Sequence, residues 1–206
     1  MDDPTTRLYN AFETLVQKVK QALEGSGALE IVRRYFVMNS FDGSLTMLGV
    51  IVGSYISGVT SPHIVIGAGM GGCLAMGVSG FVGAYVTERA ERVRRLKEME
   101  KAMLTDLHES DVARGSHLAS LLSAIVDGLS PAISAMPSLA PFYLSFVFPY
   151  PIGYAFVFSI LINLCVLFAL GAFLGTIAQE SRMLHGLTMV GVGLAITLII
   201  VLTKFM

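Results

Sequence analysis

Charged residues are scarce in this 206-residue sequence, and their scarcity excludes an ordinary soluble domain. Only 14% of the residues are Asp, Glu, Lys or Arg, whereas soluble domains carry about 25%. Residues 43–87 and 128–179 contain none of these four residue types, and each gap is long enough for two spans of about 20 residues and a turn. With a hydrophobic fraction of 54%, this pattern predicts an all-α, polytopic membrane protein.

Several motifs are also absent, and each absence excludes a class of function. The sequence has no nucleophile elbow, phosphate-binding glycine loop, CxxC pair or HExxH motif, so we predict no enzyme and no permanently bound cofactor. The net charge of -1 predicts no nucleic-acid partner. The two cysteines, Cys73 and Cys165, both lie in apolar segments and are predicted to be free packing residues.

Five hydrophobic segments are predicted to cross the membrane. Their approximate bounds are 41–60, 64–87, 118–147, 152–177 and 184–204. We expect an amphipathic N-terminal helix over residues 1–30 and two transmembrane helices over residues 31–87. A charged cytoplasmic helical segment over residues 88–117 and three further transmembrane helices over residues 118–206 are expected to follow. The charged segment has no Gly or Pro before Gly115, so the second helix is expected to continue beyond the membrane.

Lys and Arg residues predict the orientation, because they favour the cytoplasmic side. They precede the first span and occur between the second and third and between the fourth and fifth, but not in the other two connections. The N-terminus is therefore predicted to lie inside, with Lys204 as the exception at the outer end. The first 25 residues have no uninterrupted apolar core, so no cleavable signal is expected. The expected location is a prokaryotic cell membrane.

Two carboxylates stand out at or inside the spans. Asp42 lies in FDGSLT and Asp127 in VDGLSP, and this echo indicates a possible internal duplication. An ionisable residue in a membrane segment is by default a site for ions, protons or a partner charge. Asp42 alone has a second interpretation, as the N-cap of a helix that begins there. Asp127 lies deeper in its span, which favours the functional interpretation.

Three prolines interrupt the third span. Pro131, Pro137 and Pro141 lie within eleven residues of one another, and each removes a backbone hydrogen-bond donor. Either the helix is broken and lines a cavity, or it is a kinked structural helix.

The second span combines glycine rows with a methionine and two glutamates. Glycines at helical spacing allow helices to approach closely. Met76 is a soft ligand suited to transition metals, although a methionine in a span usually packs against apolar neighbours. Most of the charged residues after the second span predict a solvated, salt-bridged helix, as in the Glu91–Arg95 pair at i,i+4. Glu88 and Glu91 are also candidate metal ligands, because they lie at the membrane boundary.

Three segments together resemble the vacuolar iron transporter family. They are RRYFVMNSFDGSLTMLGVIVG, GGCLAMGVSGFVGAYVTERAE and LGAFLGTIAQESRMLHGLTMVGVGLA, and the resemblance covers most of residues 33–204. It implies a homodimeric five-helix transporter in the lipid bilayer, which moves Fe²⁺ or Mn²⁺ out of the cytosol in exchange for protons. Asp42 and Met76 then match the family's first-span aspartate and second-span methionine, and Glu88 and Glu91 fall where its acidic extension begins.

One departure from that family pattern bears on the chemistry. The family's second-span glutamate corresponds to Ala68, which binds neither metal nor proton. Either Asp127 or another group compensates, or the substrate is different. The expected metal ligands are therefore Asp42, Met76, Glu88, Glu91 and Asp127, with divalent metal and protons as partners. Two alternatives remain open: an exporter of another solute through the third span, and a membrane scaffold without transport.

Overall fold

The computed structural model describes residues 28–106, 110–148 and 150–204, and these residues form helices without a strand. The helices are α1 Ala28–Ile56, α2 Pro62–Met103, α3 Asp111–Ala135, α4 Ala140–Leu144, α5 Ile152–Ala178 and α6 Arg182–Thr203, with a 3₁₀ turn over Met136–Leu139. Five helical segments are long and apolar enough to cross a membrane, which confirms the all-α prediction and the prediction of five apolar segments of that length. The predicted amphipathic helix, residues 1–30, lies almost entirely outside the described residues.

The first helix begins earlier than the hydropathy pattern predicts. The predicted span was 41–60, but α1 begins at Ala28 and ends at Ile56. Asp42 therefore lies in the middle of a helix, and the interpretation that it is an N-cap is wrong. The reason is that charges such as Arg33 and Arg34 limit the apolar run without interrupting helical backbone. Hydropathy therefore indicates where the apolar part of a helix begins and not where the helix itself begins.

A left-handed glycine ends α1. Gly58 has φ +73°, which costs a glycine little because it has no Cβ. The Val59 amide donates to the Ser54 carbonyl at 3.0 Å, and the Gly58 amide donates to the Tyr55 carbonyl at 3.1 Å. This pair of bonds forms a Schellman motif, which satisfies the last carbonyls of the helix.

The second helix continues far beyond its apolar part, as the sequence predicts. It runs for 42 residues to Met103. In its charged part, Arg95 Nε donates to Glu91 Oε1 at 3.0 Å, which confirms the predicted i,i+4 pair. Leu104, with φ 53°, then leaves helical geometry.

A 3₁₀ turn interrupts the α-helix of the third apolar segment, and the backbone stays right-handed helical on both sides of it. Pro131 lies inside α3, where the helix continues for one further turn to Ala135. The backbone then tightens into the 3₁₀ turn, with Pro137 in its first positions, and Pro141 occupies the start of the short helix α4. Prolines are tolerated at these first positions because their missing N–H groups would have no intrahelical partner.

The last two helices form a close hairpin with nearly the predicted bounds, 152–177 and 184–204. Gln179 ends α5 with left-handed φ 56°, and the Ser181 side chain accepts a hydrogen bond from the Leu184 amide at the start of α6. A Cβ at Gly171 would collide with the carbonyl oxygen of His185, so the glycine permits the close contact of the two helices.

The chain divides into two compact units. The larger unit consists of residues 36–80 and 127–206, and the smaller one of residues 1–35 and 81–126. Met47, Leu139 and Phe142 are fully buried in the core of the larger unit. Cys73 lies in the same core and Cys165 is exposed, and both are free, as predicted.

Candidate functional site

A buried carboxylate lies at the centre of the candidate site in the larger unit. Asp127, on α3, is only 5% exposed although it lies within an apolar span. Its Oδ1 accepts a hydrogen bond from the side-chain amide of Asn39 on α1. A buried charge is costly without such partners, so the Asn39 amide is part of what holds Asp127 in this position.

Glycines of α2 leave the space that Asp127 occupies. A Cβ at Gly80 would lie 3.0 Å from Asp127 Oδ2 and 3.1 Å from its carbonyl oxygen. One turn earlier, a Cβ at Gly77 would lie 2.9 Å from the carbonyl oxygen of Gly128. The predicted small-residue row therefore brings the α2 backbone against the segment that carries the carboxylate.

The second carboxylate, Asp42, is exposed and lies near the first. Its neighbour Gly43 marks the closest approach of α1 to α3, because a Cβ there would lie 2.5 Å from the Pro131 Cα. The two Asp-Gly sequences that resemble each other thus belong to one helix contact, with one carboxylate exposed and the other buried.

The remaining candidate of the larger unit, Met76, is half-buried on α2. It lies one turn before Gly80 and therefore on the same side of the helix. Among the described residues, no three His, Cys, Asp or Glu side chains cluster as a ready metal site. The carboxylates of Asp42 and Asp127 are hard oxygen donors and the Met76 thioether is a soft sulfur donor, so the three differ in the metals that they favour.

Glu88 and Glu91, which follow the apolar part of α2, belong to the smaller unit and are paired with arginines. Glu88 is 9% exposed, accepts a hydrogen bond from the Tyr35 hydroxyl at 3.2 Å, and lies 3.3 Å from Arg92 Nε. Glu91 is half-buried and pairs with Arg94 and Arg95. A cation at either glutamate would therefore compete with a guanidinium group.

Asp127 belongs to a set of buried polar residues in the larger unit whose other members were not predicted. We call this set the buried polar row, and it consists of Ser40, Ser44, Asp127, Ser130, Ser134, Ser138, Ser159 and Asn163. Ser40 Oγ donates to the Ser130 carbonyl at 3.3 Å. Asn163 donates to the Ser44 carbonyl at 3.1 Å and to Ser138 Oγ at 3.0 Å.

Part of the buried polar row has unused hydrogen-bonding capacity. Asn163 Oδ1 and the hydroxyls of Ser44 and Ser159 have no hydrogen-bond partner among the described residues. Groups of this kind commonly hold ordered water or an ion. The sequence signal for the row was the i,i+3 and i,i+4 spacing of polar residues inside apolar spans, as in Ser159–Asn163 and Asp127–Ser130–Ser134.

Comparison with known proteins gives one informative relationship. The chain is 32% identical over 169 residues to "Uncharacterized protein MJ0645" of Methanocaldococcus jannaschii, which covers 81% of this chain and 85% of that protein. The chain matches no family model, and no solved structure matches it.

Proposed function

Because the chain belongs to the same family as the uncharacterized protein MJ0645 of Methanocaldococcus jannaschii, whose name assigns no activity, we propose its function from the site itself. It is a membrane transporter that moves a divalent transition metal, Fe²⁺ or Mn²⁺, out of the cytosol in exchange for protons. The observation that carries this proposal is the buried carboxylate of Asp127 inside an apolar span, beside Asn39 and within electrostatic reach of Asp42.

A carboxylate at this depth is expensive, and a purely structural role does not account for it well. Ionisable groups inside membrane segments mark ion pathways and proton relays. The nearby exposed Asp42 provides a first oxygen ligand from which a cation can pass to Asp127. The resemblance of residues 33–204 to vacuolar iron transporters supports Fe²⁺ or Mn²⁺ as the cargo, with Met76 as the soft ligand.

Release of the metal follows from protonation. A protonated carboxyl group no longer neutralises a divalent cation, so a proton that arrives at Asp42 or Asp127 favours dissociation of the metal. Both oxygens of Asp127 already face protein, Oδ1 towards Asn39 and Oδ2 towards Gly80, so coordination requires some rearrangement there. Exchange of metal against protons is the consequence that we propose.

The arrangement in the membrane completes the proposal. The five apolar helices span the bilayer of a prokaryotic cell with the N-terminus inside, because this places the basic connections on the cytoplasmic side. Glu88 and Glu91 then lie at the cytoplasmic mouth. Two copies form a homodimer, as the resemblance of residues 33–204 to vacuolar iron transporters implies.

A second candidate function has its own structural support. The 3₁₀ turn Met136–Leu139 interrupts the third span, and Ser138 within it contacts Asn163, whose Oδ1 has no partner among the described residues. Broken helices in membrane proteins line binding cavities for solutes. Export of a small polar solute through this region is the alternative, and a scaffold without transport remains the third possibility.

Metal flux into proteoliposomes tests the proposal. We expect Fe²⁺ or Mn²⁺ uptake driven by an imposed pH gradient, and near-background uptake in Asp127→Asn and Asp42→Asn. Both substitutions keep the side-chain shape and remove the charge. Glu98→Gln is the matched control, because that exposed glutamate pairs only with Arg94 among the described residues.

The two rivals predict different results. No saturable response to Fe²⁺, Mn²⁺, Co²⁺ or Zn²⁺ in a binding scan would favour another solute. Loss of function on charge swaps in the segment 88–117, with function intact in Asp42→Asn, would favour the scaffold. Metal uptake that persists in both aspartate variants would contradict the site and leave only the transport activity standing.

A further inference from the structure

A cavity of about 130 Å³ lies in the smaller unit, between the charged part of α2 and the beginning of α3. Its polar lining comes from Arg89, Arg92, Lys97, Ser116, His117 and Ser120. The volume is roughly ten times the ~10–15 Å³ that a single water requires. It can therefore hold a small polyatomic ion or a headgroup.

Arg92 is the residue that makes this cavity unusual. Its side chain is only 11% exposed, and its Nε and Nη2 atoms are shielded from solvent without a hydrogen-bond partner among the described residues. Glu88 Oε2 lies 3.3 Å from Nε and balances the charge, but it does not satisfy these donors. These two donors have no exposed surface, so Arg92 contributes to the cavity through its positive charge, together with Arg89 and Lys97.

The charges around the cavity favour an anion. Arg89, Arg92 and Lys97 contribute three positive charges to its lining, against one negative charge from Glu100. Glu88 offsets Arg92 from outside the lining. The excess of positive charge therefore remains on the cavity side.

The donor types narrow the ligand class. Guanidinium groups bind phosphate oxygens in a fork geometry, and lysine adds a point charge. Ser116 and His117 supply further polar groups from the opposite helix. Apolar sequence in α2 ends at Thr87, so the cavity begins where a span meets the level of lipid phosphates.

We propose that this cavity binds a phosphate group, either that of an anionic lipid headgroup or that of a soluble phosphate-bearing molecule. The proposal is independent of the metal-transport proposal, because it uses no residue of the Asp42–Asp127 site. Occupancy balances the positive charge of the lining and links α2 to α3, so ligand binding stabilises the folded chain by mass action.

Binding measurements on the full chain in nanodiscs and in detergent test the proposal. The two probes are phosphatidylglycerol, compared with phosphatidylcholine, and inorganic phosphate, compared with chloride at equal ionic strength. Saturable stabilisation against heat by phosphatidylglycerol alone assigns the lipid source. Saturable stabilisation by inorganic phosphate assigns a soluble source.

Charge-removing variants locate the binding site. We expect Arg89→Gln, Arg92→Gln and Lys97→Gln each to weaken the affinity about tenfold or more, as the loss of a charged hydrogen-bond donor predicts. Arg94→Gln removes the same charge from the same helix, but Arg94 is 69% exposed and does not line the cavity, so its affinity should stay unchanged. Arg89 and Lys97 are exposed, so their variants keep the test valid if Arg92→Gln does not fold.

Two results would overturn the proposal. One is the absence of saturable binding of both probes to the wild-type chain. The other is an equal loss of affinity in Arg94→Gln and Arg89→Gln, which would mean that general surface charge, and not the cavity, attracts the phosphate.

Discussion

Asn39 on α1 donates a hydrogen bond from its side-chain amide to the buried carboxylate of Asp127 on α3. This contact joins α1 and α3 at the point where an ionisable group lies among apolar residues. It gives the site its first test, because a charged group in a hydrogen bond contributes more than a neutral one.

Asn39→Ala should lower the free energy of unfolding by about 1.5–3 kcal/mol, since hydrogen bonds to charged groups are worth this much. Thermal or denaturant unfolding in detergent measures the change. In the background of Asp127→Asn, the same substitution should cost markedly less, because the charged acceptor is gone. Equal costs in the two backgrounds would show that the amide does not act through the carboxylate.

The closest approach of α1 to α3 depends on a missing Cβ. Gly43→Ala should destabilise the chain by about 1–3 kcal/mol or more, because its Cβ would lie 2.5 Å from the Pro131 Cα and backbone cannot swing aside. Gly53→Ala is the matched control in the same helix, since nothing lies within 4 Å of a Cβ there. Unfolding of the two variants side by side checks the difference, and similar midpoints would contradict the contact.

The glycines of α2 allow a comparison of the same kind beside the carboxylate. Gly77→Ala should destabilise the chain, because its Cβ would lie 2.9 Å from the Gly128 carbonyl oxygen. Gly72→Ala, with nothing within 4 Å, should be neutral or stabilise α2 by up to about 1 kcal/mol. Metal uptake by the folded fraction should fall only in Gly77→Ala, since displaced backbone moves Asp127. Equal uptake in both variants would show that the close contact at Gly77 does not affect metal transport.

The long apolar segments and the few charged residues in them could be predicted from the sequence, because both produce a strong pattern. A gap without charges marks a span, and Asp42 and Asp127 are conspicuous at the edges of such gaps. The start of α1 at Ala28 was not predicted, because Arg33 and Arg34 end an apolar run without ending a helix. The first residue of a helix and the first residue of its apolar part are therefore different positions, and hydropathy predicts only the second.

The partners of the charged groups were harder to predict. Asn39, Asn163 and Arg92 look like ordinary polar residues in a sequence, and only tertiary packing decides whether they are buried. The hydrogen bond from Tyr35 to Glu88 joins two segments that are far apart in the chain. Contacts between distant segments produce no periodic pattern in the local sequence, so that pattern cannot predict them.

Asn163 should contribute to stability through its amide protons. Asn163→Ala removes donors to the Ser44 carbonyl and to Ser138 Oγ, and we expect a loss of about 2 kcal/mol. Ser159→Ala, one turn earlier, removes a buried hydroxyl that has no partner among the described residues, so it should cost little or even stabilise. Unfolding midpoints of the two variants provide the measurement. A large cost for Ser159→Ala would indicate that its hydroxyl binds water or an ion.

Glu88 and Glu91 should respond very differently to the loss of charge. Glu88→Gln leaves the 11%-exposed Arg92 without its counter-charge, so the expected cost is about 3 kcal/mol, in the range for breaking a buried pair. Glu91→Gln breaks pairs whose arginine side chains are more than 60% exposed, and such pairs contribute about 0–1 kcal/mol.

Flux measured on the same two variants separates structure from transport. If Glu88 serves only to balance Arg92, the combined Glu88→Gln and Arg92→Gln variant should regain much of the lost stability, and its folded fraction should transport metal normally. If Glu88 also gathers cations at the mouth, stability should return while uptake at low metal concentration stays reduced. Reduced uptake in Glu91→Gln at unchanged stability would give the second glutamate the same role, because loss of its exposed ion pairs cannot account for a defect in flux.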